Sequence, residues 1–233
     1  GAEGTVASTT VSPSYAAVTI AGATLTTTGS FATGTDAINI VGVMTPINTS
    51  TTAYAIGISG NTAINNNSTG GNTNIVAYNG RYYDAVTVTN ASTAGALELS
   101  AIGTSADIVT VAGTLFTQNS NAGVFIATSN NGNVTPPKIV NNGTGPVVIE
   151  AGAYFAAGTV NSACSATACG QITAISGNNI TSPNGNVYLY AGSPGTTAGG
   201  TMTTPTTLAY LASSLGTLTF NNTLFGQAYA AGN

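Results

Sequence analysis

The apolar residues of this chain fall in short runs of Val, Ile, Leu, Tyr and Phe, separated by Thr, Ser, Asn and Gly. No long stripe at 3.6-residue spacing with helix caps runs through them, so helices are not expected. The runs predict strands at Ala37 to Val43, Ala53 to Ser59, Asn74 to Tyr78, Tyr82 to Thr89 and Asp107 to Phe116. Further strands are predicted at Gly123 to Thr128, Pro146 to Phe155, Gln171 to Ile175, Val187 to Tyr190 and Thr217 to Phe220. Their Val, Ile, Thr and Tyr suit a pleated, half-buried surface. Asn79-Gly80, Asn131-Gly132, Asn142-Gly143 and Asn184-Gly185 punctuate them, and such pairs tolerate positive φ. Asn79-Gly80, between two aromatic-ended strands, predicts a hairpin. Many short strands with this punctuation point to a sandwich or barrel.

The N-terminal stretch differs, because no strong turn pair folds it back before about Leu25. Val11, Pro13, Tyr15 and Ala17 share one face of an extended strand, whereas Val18 and Ile20 share the other. A bulge near Ala16 and Ala17 would reunite the two sets. Such a segment either pairs within its own domain or completes the sheet of a neighbour. The division this suggests is an extension at residues 1–24 and a β-sandwich body at residues 25–233.

Composition sharpens the picture. The 233 residues are 42% hydrophobic, enough for a core, yet only 3% are charged, against about 25% in an ordinary soluble domain. There is no His and no Trp, with one Lys (Lys138) and one Arg (Arg81). The polar surface is instead Thr, Ser, Asn and Gly, which hydrogen-bond without ionising. In strong acid such a surface does not accumulate the uncompensated positive charge that would strain a conventional fold. It suits an acidic exterior, and equally a surface covered by sugar or by neighbouring subunits. Too few basic residues are present for a nucleic-acid interface. No apolar stretch reaches membrane-spanning length. The sequence opens at Gly1 without a charged or apolar leader, as expected of a secreted protein whose signal peptide has been removed, or of a trimmed chain.

Candidate chemistry is sparse. Sequons of the form N-x-[ST] occur at Asn48, Asn66, Asn67, Asn90, Asn133, Asn142, Asn179 and Asn221; most sit in predicted turns or strand ends, where N-linked glycans are expected. Asn66 and Asn67 overlap, so both are not expected to be modified together. Cys164 and Cys169 are close enough for a small disulfide loop, and a metal site would need ligands the chain lacks. Without His the usual nucleophile–base arrangements are excluded. Of the six acidic residues, Glu98, Asp107 and Glu150 could supply a carboxylate pair, without Trp platforms beside them. No enzyme activity, cofactor or metal is expected. Lys138, with Glu98, Asp107 or Glu150 as the acid, has the residue types of a lysine–asparagine isopeptide bond; the plainer reading is an exposed lysine at a strand start.

The low charge, the Thr/Asn/Ser-rich surface, the sequons from Asn48 to Asn221 and the unpaired stretch Thr5 to Ile20 together resemble the archaeal thread. That is a secreted filament of glycosylated β-sandwich subunits from thermoacidophilic archaea, similar in type to chaperone–usher pilins. The resemblance is one of overall type and rests on no short motif. It implies an all-β, pilin- or immunoglobulin-like β-sandwich with an extended N-terminal donor strand. Subunits would polymerise head to tail as that strand enters a neighbour's groove. Val6, Val11, Tyr15, Val18 and Ile20 would fill the groove. The partners implied are identical subunits in a homopolymer outside the cell, with other cells or surfaces as adhesion targets. Two other classes fit the residues: a parallel β-helix of the kind found in secreted adhesins, and a surface-layer or carbohydrate-binding domain. Against the β-helix, the rung-like segments Gly123 to Ala127, Pro146 to Glu150 and Asn186 to Ala191 recur at irregular intervals.

Overall fold

Nine of the predicted runs hold strands among the described residues, but none pairs antiparallel with its neighbour in sequence; of Gln171 to Ile175 only Ile172, bridged to Val134, and Ile175 are described. The computed structural model describes residues 16–44, 54–91, 93–103, 106–129, 132–152, 172, 175, 177–191 and 218–220. Within them the chain winds through successive rungs. The first holds β1 (Ala16–Ala21), β2 (Thr24–Thr27) and β3 (Asp36–Val43). The second holds β4 (Tyr54–Asn66) and β5 (Asn72–Tyr78), and the third β6 (Arg81–Asn90) and β7 (Leu97–Ile102). The fourth holds β8 (Ile108–Thr110), β9 (Leu115–Gln118) and β10 (Val124–Thr128). The fifth holds β11 (Val134–Thr135), β12 (Lys138–Asn141) and β13 (Val147–Ala151). The sixth holds β14 (Ile180–Ser182) and β15 (Val187–Ala191), and β16 (Leu218–Phe220) follows.

Each strand pairs in parallel with its counterpart one rung away. One sheet runs β1-β4-β6-β9-β12-β14-β16, with β2 on β4, β8 on β6 and β11 on β8; the other runs β3-β5-β7-β10-β13-β15. This is a parallel β-helix. The expected β-sandwich with a donor strand is therefore corrected. Alternating burial is common to both architectures, and here each apolar face packs inside the coil rather than against a second antiparallel sheet.

Three side-chain stacks fill the interior. They are Ile56–Tyr82–Ile108–Val134, Ile64–Val88–Phe116–Ile139–Ile180 and Ile75–Leu99–Ile126–Ile149–Leu189. All of these residues are buried in one continuous core. Full burial of such a side chain stabilises by about 1.5–3 kcal/mol, and the rungs, about 4.8 Å apart, let each residue rest on its counterpart.

Local sequence explains the bends. Gly60 and Asn61, with φ of 66° and 57°, interrupt β4 where its register on β6 shifts between Ile58 and Thr62. β6 passes this position unbroken, but in the fourth rung the bend becomes a break, so the predicted strand Asp107 to Phe116 is two strands separated at Val111–Thr114. The hairpin expected at Asn79-Gly80 is also corrected. Asn79 does take a positive φ, 55°, but β5 and β6 lie in different sheets. The turn carries the chain to its next rung.

The irregular spacing has a simple origin. Hydrogen bonds between adjacent rungs join residues 23 apart (Asn142 to Asn119), 24 (Ala96 to Asn72), 25 (Thr93 to Ser68) and 26 (Arg81 to Asp107). Where an insertion intervenes the separation grows to 38 (Asn74 to Asp36) or 41 (Asn141 to Ser182). Insertions between rungs leave the stacking intact while erasing the period.

Candidate functional site

The corner joining the two sheets is lined inside by a ladder of amides. Asn66, Asn90, Gln118 and Asn141 occupy equivalent positions in successive rungs, followed by Ser182, and all are buried. Each amide donates to a glycine carbonyl four or five residues on: Asn66 to Gly71 at 2.8 Å, Asn90 to Gly95 at 3.2 Å, Gln118 to Gly123 at 2.5 Å and Asn141 to Gly145 at 2.7 Å. The hydroxyl of Ser182 donates likewise to the Gly185 carbonyl at 2.9 Å. These bonds serve buried turn carbonyls, of which Gly71 and Gly123 also accept a backbone amide from a neighbouring rung and Gly95 also accepts from Gln118 and Ser120. The amide oxygens are used as well. Asn66 Oδ1 accepts from the Ser68 amide and hydroxyl, Asn90 Oδ1 from Thr73, and Gln118 Oε1 from the Ser120 amide. At Asn141 the residue two positions on is Gly143, and Oδ1 there has no partner among the described residues. A Cβ on Gly143 would strike the Ser120 carbonyl, so the corner has no room for the missing serine.

This ladder sorts the sequons. Asn66 and Asn90 are buried, and their side-chain nitrogens are committed to turn carbonyls. At Asn66 the N-x-S pattern is the chemistry of the turn: the amide takes the serine hydroxyl two residues on. Asn67, Asn133 and Asn142 are exposed, and Asn179 is half-buried. Asn142 donates to Asn119 Oδ1 at 2.7 Å along the outside of the same corner. Asn48 and Asn221 lie outside the described residues, as do Cys164, Cys169, Val6, Val11 and Tyr15. Val18 and Ile20 belong to β1, where they lie beside Ile56 and Ile58 of the same chain and pack on its core.

A second polar feature was not legible in the sequence. Asp84 points into the coil and is 0% exposed. It accepts hydrogen bonds from the Tyr82 hydroxyl and from Thr114 Oγ1, the latter at 3.0 Å. Burial raises its pKa to about 7, and these two hydrogen bonds only partly oppose that. Burial, then the charge and hydrogen bond of Asp84, push the Tyr82 phenol well up. The network ties β6 to the turn before β9, and the backbone carbonyl of Thr114 accepts from the Lys138 amide at 2.9 Å.

The remaining carboxylates separate into two groups. Asp107 is held outside, its Oδ2 accepting from Arg81 at 2.6 and 2.9 Å and its Oδ1 from Asn133. Glu98 and Glu150 lie on the outer face of the second sheet. Burial raises both, and the nearby Asp36 charge raises Glu98 further. Lys138 is exposed at the start of β12 in the first sheet, so the isopeptide grouping with Glu98 or Glu150 is not assembled, and Asp107 is engaged by Arg81. Among the described residues no group of three or more Asp, Glu, Cys or His side chains gathers to hold a metal, and no helix is long and apolar enough to cross a membrane.

Fold and ladder together define the class: a parallel β-helix with a largely apolar interior and an amide-lined corner. No protein-family model, curated protein or solved structure matches the chain.

Proposed function

We propose that this protein is an extracellular structural rod, a secreted parallel β-helix of the adhesin type, carrying N-linked glycans at exposed corner positions. The observation that carries the reading is the in-register stack of rungs over most of the described chain, wrapped in a surface almost without charge. A coil of this kind gains length by repetition. Its neutral Thr, Ser and Asn exterior needs another device for dispersal, since surface charge ordinarily keeps proteins apart. Glycans at Asn67 and Asn142 would supply one. The donor-strand filament expectation was tied to a sandwich short of one strand, and among the described residues that sandwich gives way to a coil. In this reading the chain is not an enzyme, needs no cofactor, and meets other cells or surfaces through its flanks.

The test is glycopeptide mapping of protein recovered from its native cells, with protease shaving of intact cells as the measure of location. Glycan on Asn67 and Asn142, none on Asn66 and Asn90, and loss of the protein on shaving are expected. An unmodified protein protected from shaving would overturn the proposal.

A further inference from the structure

We propose that the turn Val111–Thr114 is a pH-gated latch on the coil: it stays closed over the interior while Asp84 carries a proton and opens locally when Asp84 ionises. Asp84 lies where neither neighbouring rung runs straight past β6. Toward the second rung, Ile58 of β4 pairs with Asp84 and Thr62 with Val86, and Ser59 to Asn61 between them are exposed. Toward the fourth rung, the chain leaves Thr110, the residue paired with Asp84, and passes through the exposed Ala112 and Gly113 before returning at the buried Thr114.

The turn is fastened to Asp84 itself. The Val111 amide donates to the Asp84 backbone carbonyl at 3.2 Å. The Thr114 hydroxyl donates to the Asp84 carboxyl at 3.0 Å, with that same carbonyl at 3.3 Å. The turn is closed on itself by the Thr114 amide and the Val111 carbonyl at 3.2 Å, so it moves as a unit. A Cβ on Gly113 would meet nothing within 4 Å, which leaves open space beside it. The Lys138 amide, on the Thr114 carbonyl, and Asn178 Nδ2, 3.4 Å from the Val111 carbonyl, hold the ends of the turn rather than its contact with Asp84.

No cation faces the carboxyl. On β6 the one titratable neighbour inside the coil is Tyr82, whose hydroxyl bonds Asp84. The inward neighbours from β4, β8 and β9 are Ile58, Thr62, Ile108, Thr110 and Phe116, none of which ionises. Across the coil β5 and β7 turn only Thr73 and aliphatic side chains inward. Arg81 is held on the outside by Asp107. A carboxylate formed at Asp84 therefore has no opposite charge, and keeping it buried is costly. Ionisation favours any state that hydrates it. Opening the turn does so by releasing the bonds to Asp84, whereas unfolding the coil must also unstack the aliphatic columns, so the local opening comes first.

The inference is independent of the rod reading and of glycan mapping. Its test is amide hydrogen exchange resolved by residue on the full chain at pH 5 and pH 8, each rate taken relative to the unprotected amide at the same pH. Asp84→Asn, which cannot ionise, and Thr114→Val, which lacks the hydroxyl, are measured beside the parent, with circular dichroism to confirm that each is folded. In the parent, protection of the Val111 amide should fall about tenfold or more from pH 5 to pH 8. At pH 8 it should be far less protected than the Val124 amide, which is bonded to Pro146 in the other sheet. Small additions of urea should speed exchange at Val124 and leave Val111 unchanged, because the local opening exposes little surface. Asp84→Asn should keep Val111 protected at both pH values, and Thr114→Val should weaken it already at pH 5. Equal protection and equal urea dependence at Val111 and Val124 would overturn the latch, since Asp84 would then act only through global unfolding. So would a parent whose Val111 protection ignores pH, an equal fall in Asp84→Asn, or parent-like protection at pH 5 in Thr114→Val.

Discussion

Asp84 makes the stability of this protein run opposite to that of most. A carboxyl with an ordinary pKa of 3.8 in the unfolded chain and about 7 in the folded one binds its proton more tightly when folded. The folded state therefore holds the extra proton between those two values, and stability falls as pH rises through them. Below pH 3.8 the contribution is fully present; above about pH 7 it has been lost. A difference of about three units at 1.36 kcal/mol each corresponds to about 4 kcal/mol, a large part of the stability of a typical domain. Glu98 and Glu150 shift in the same direction, so they add to the trend. The perturbation is Asp84→Asn, whose amide keeps an acceptor for Thr114 and cannot ionise. Urea unfolding followed by circular dichroism from pH 3 to pH 9 is the assay. The parent should lose stability steeply between about pH 4 and pH 7, while the variant loses far less and becomes the more stable of the two at pH 8. Identical pH profiles for parent and variant would refute the reasoning, because the burial of Asp84 would then not control its ionisation.

Other expectations follow from single positions. Phe116→Ala empties the centre of one of the two five-residue interior stacks and should cost about 3–5 kcal/mol in the same urea assay at pH 5. Asn90→Ala strands the Thr73 hydroxyl, while the Gly95 carbonyl keeps Gln118 and Ser120 as donors; a loss of about 1–3 kcal/mol is expected, whereas Asn142→Ala on the outer side of the corner should change stability by less than about 1 kcal/mol. Gly143→Ala drives a methyl into the Ser120 carbonyl and should destabilise by about 1–3 kcal/mol, while the same change at Gly113, whose Cβ would meet nothing, tests only the strain of its positive φ of 94°.

Most strand positions were legible because inward and outward residues differ in kind. In β6, Tyr82, Val86 and Val88 face in while Thr87 and Thr89 face out, and that alternation needs no partner to be recognised. Asp84 breaks the rule, since it occupies an inward position that the pattern assigns to an apolar residue. Only the Tyr82 and Thr114 hydroxyls, one of them from the next rung, make its burial tolerable. Strands β2, β7, β11, β12 and β14 went unpredicted; all but β7 have four residues or fewer, and what holds them is pairing with a neighbouring rung. The ladder did leave a trace: an amide, a Ser two residues on at Ser68 and Ser120, and a Gly four or five residues on. In a chain this rich in Asn, Ser and Gly the same letters also spell a glycosylation sequon, and burial alone separates Asn66 from Asn67.

From its letters alone this protein is all-β, poor in helix, nearly uncharged and furnished with turns that accept positive φ, because each of these is set by single residues or close neighbours. Which strand lies beside which was decided only in three dimensions. A period of two describes a strand in a sandwich and a strand in a coil equally well. Parallel pairing joins residues a full rung apart, at separations that insertions change from 23 to 41. The free energy that selects the coil comes from those distant contacts, the aliphatic stacks and the amide ladder, and it exists only once the rungs are laid on one another.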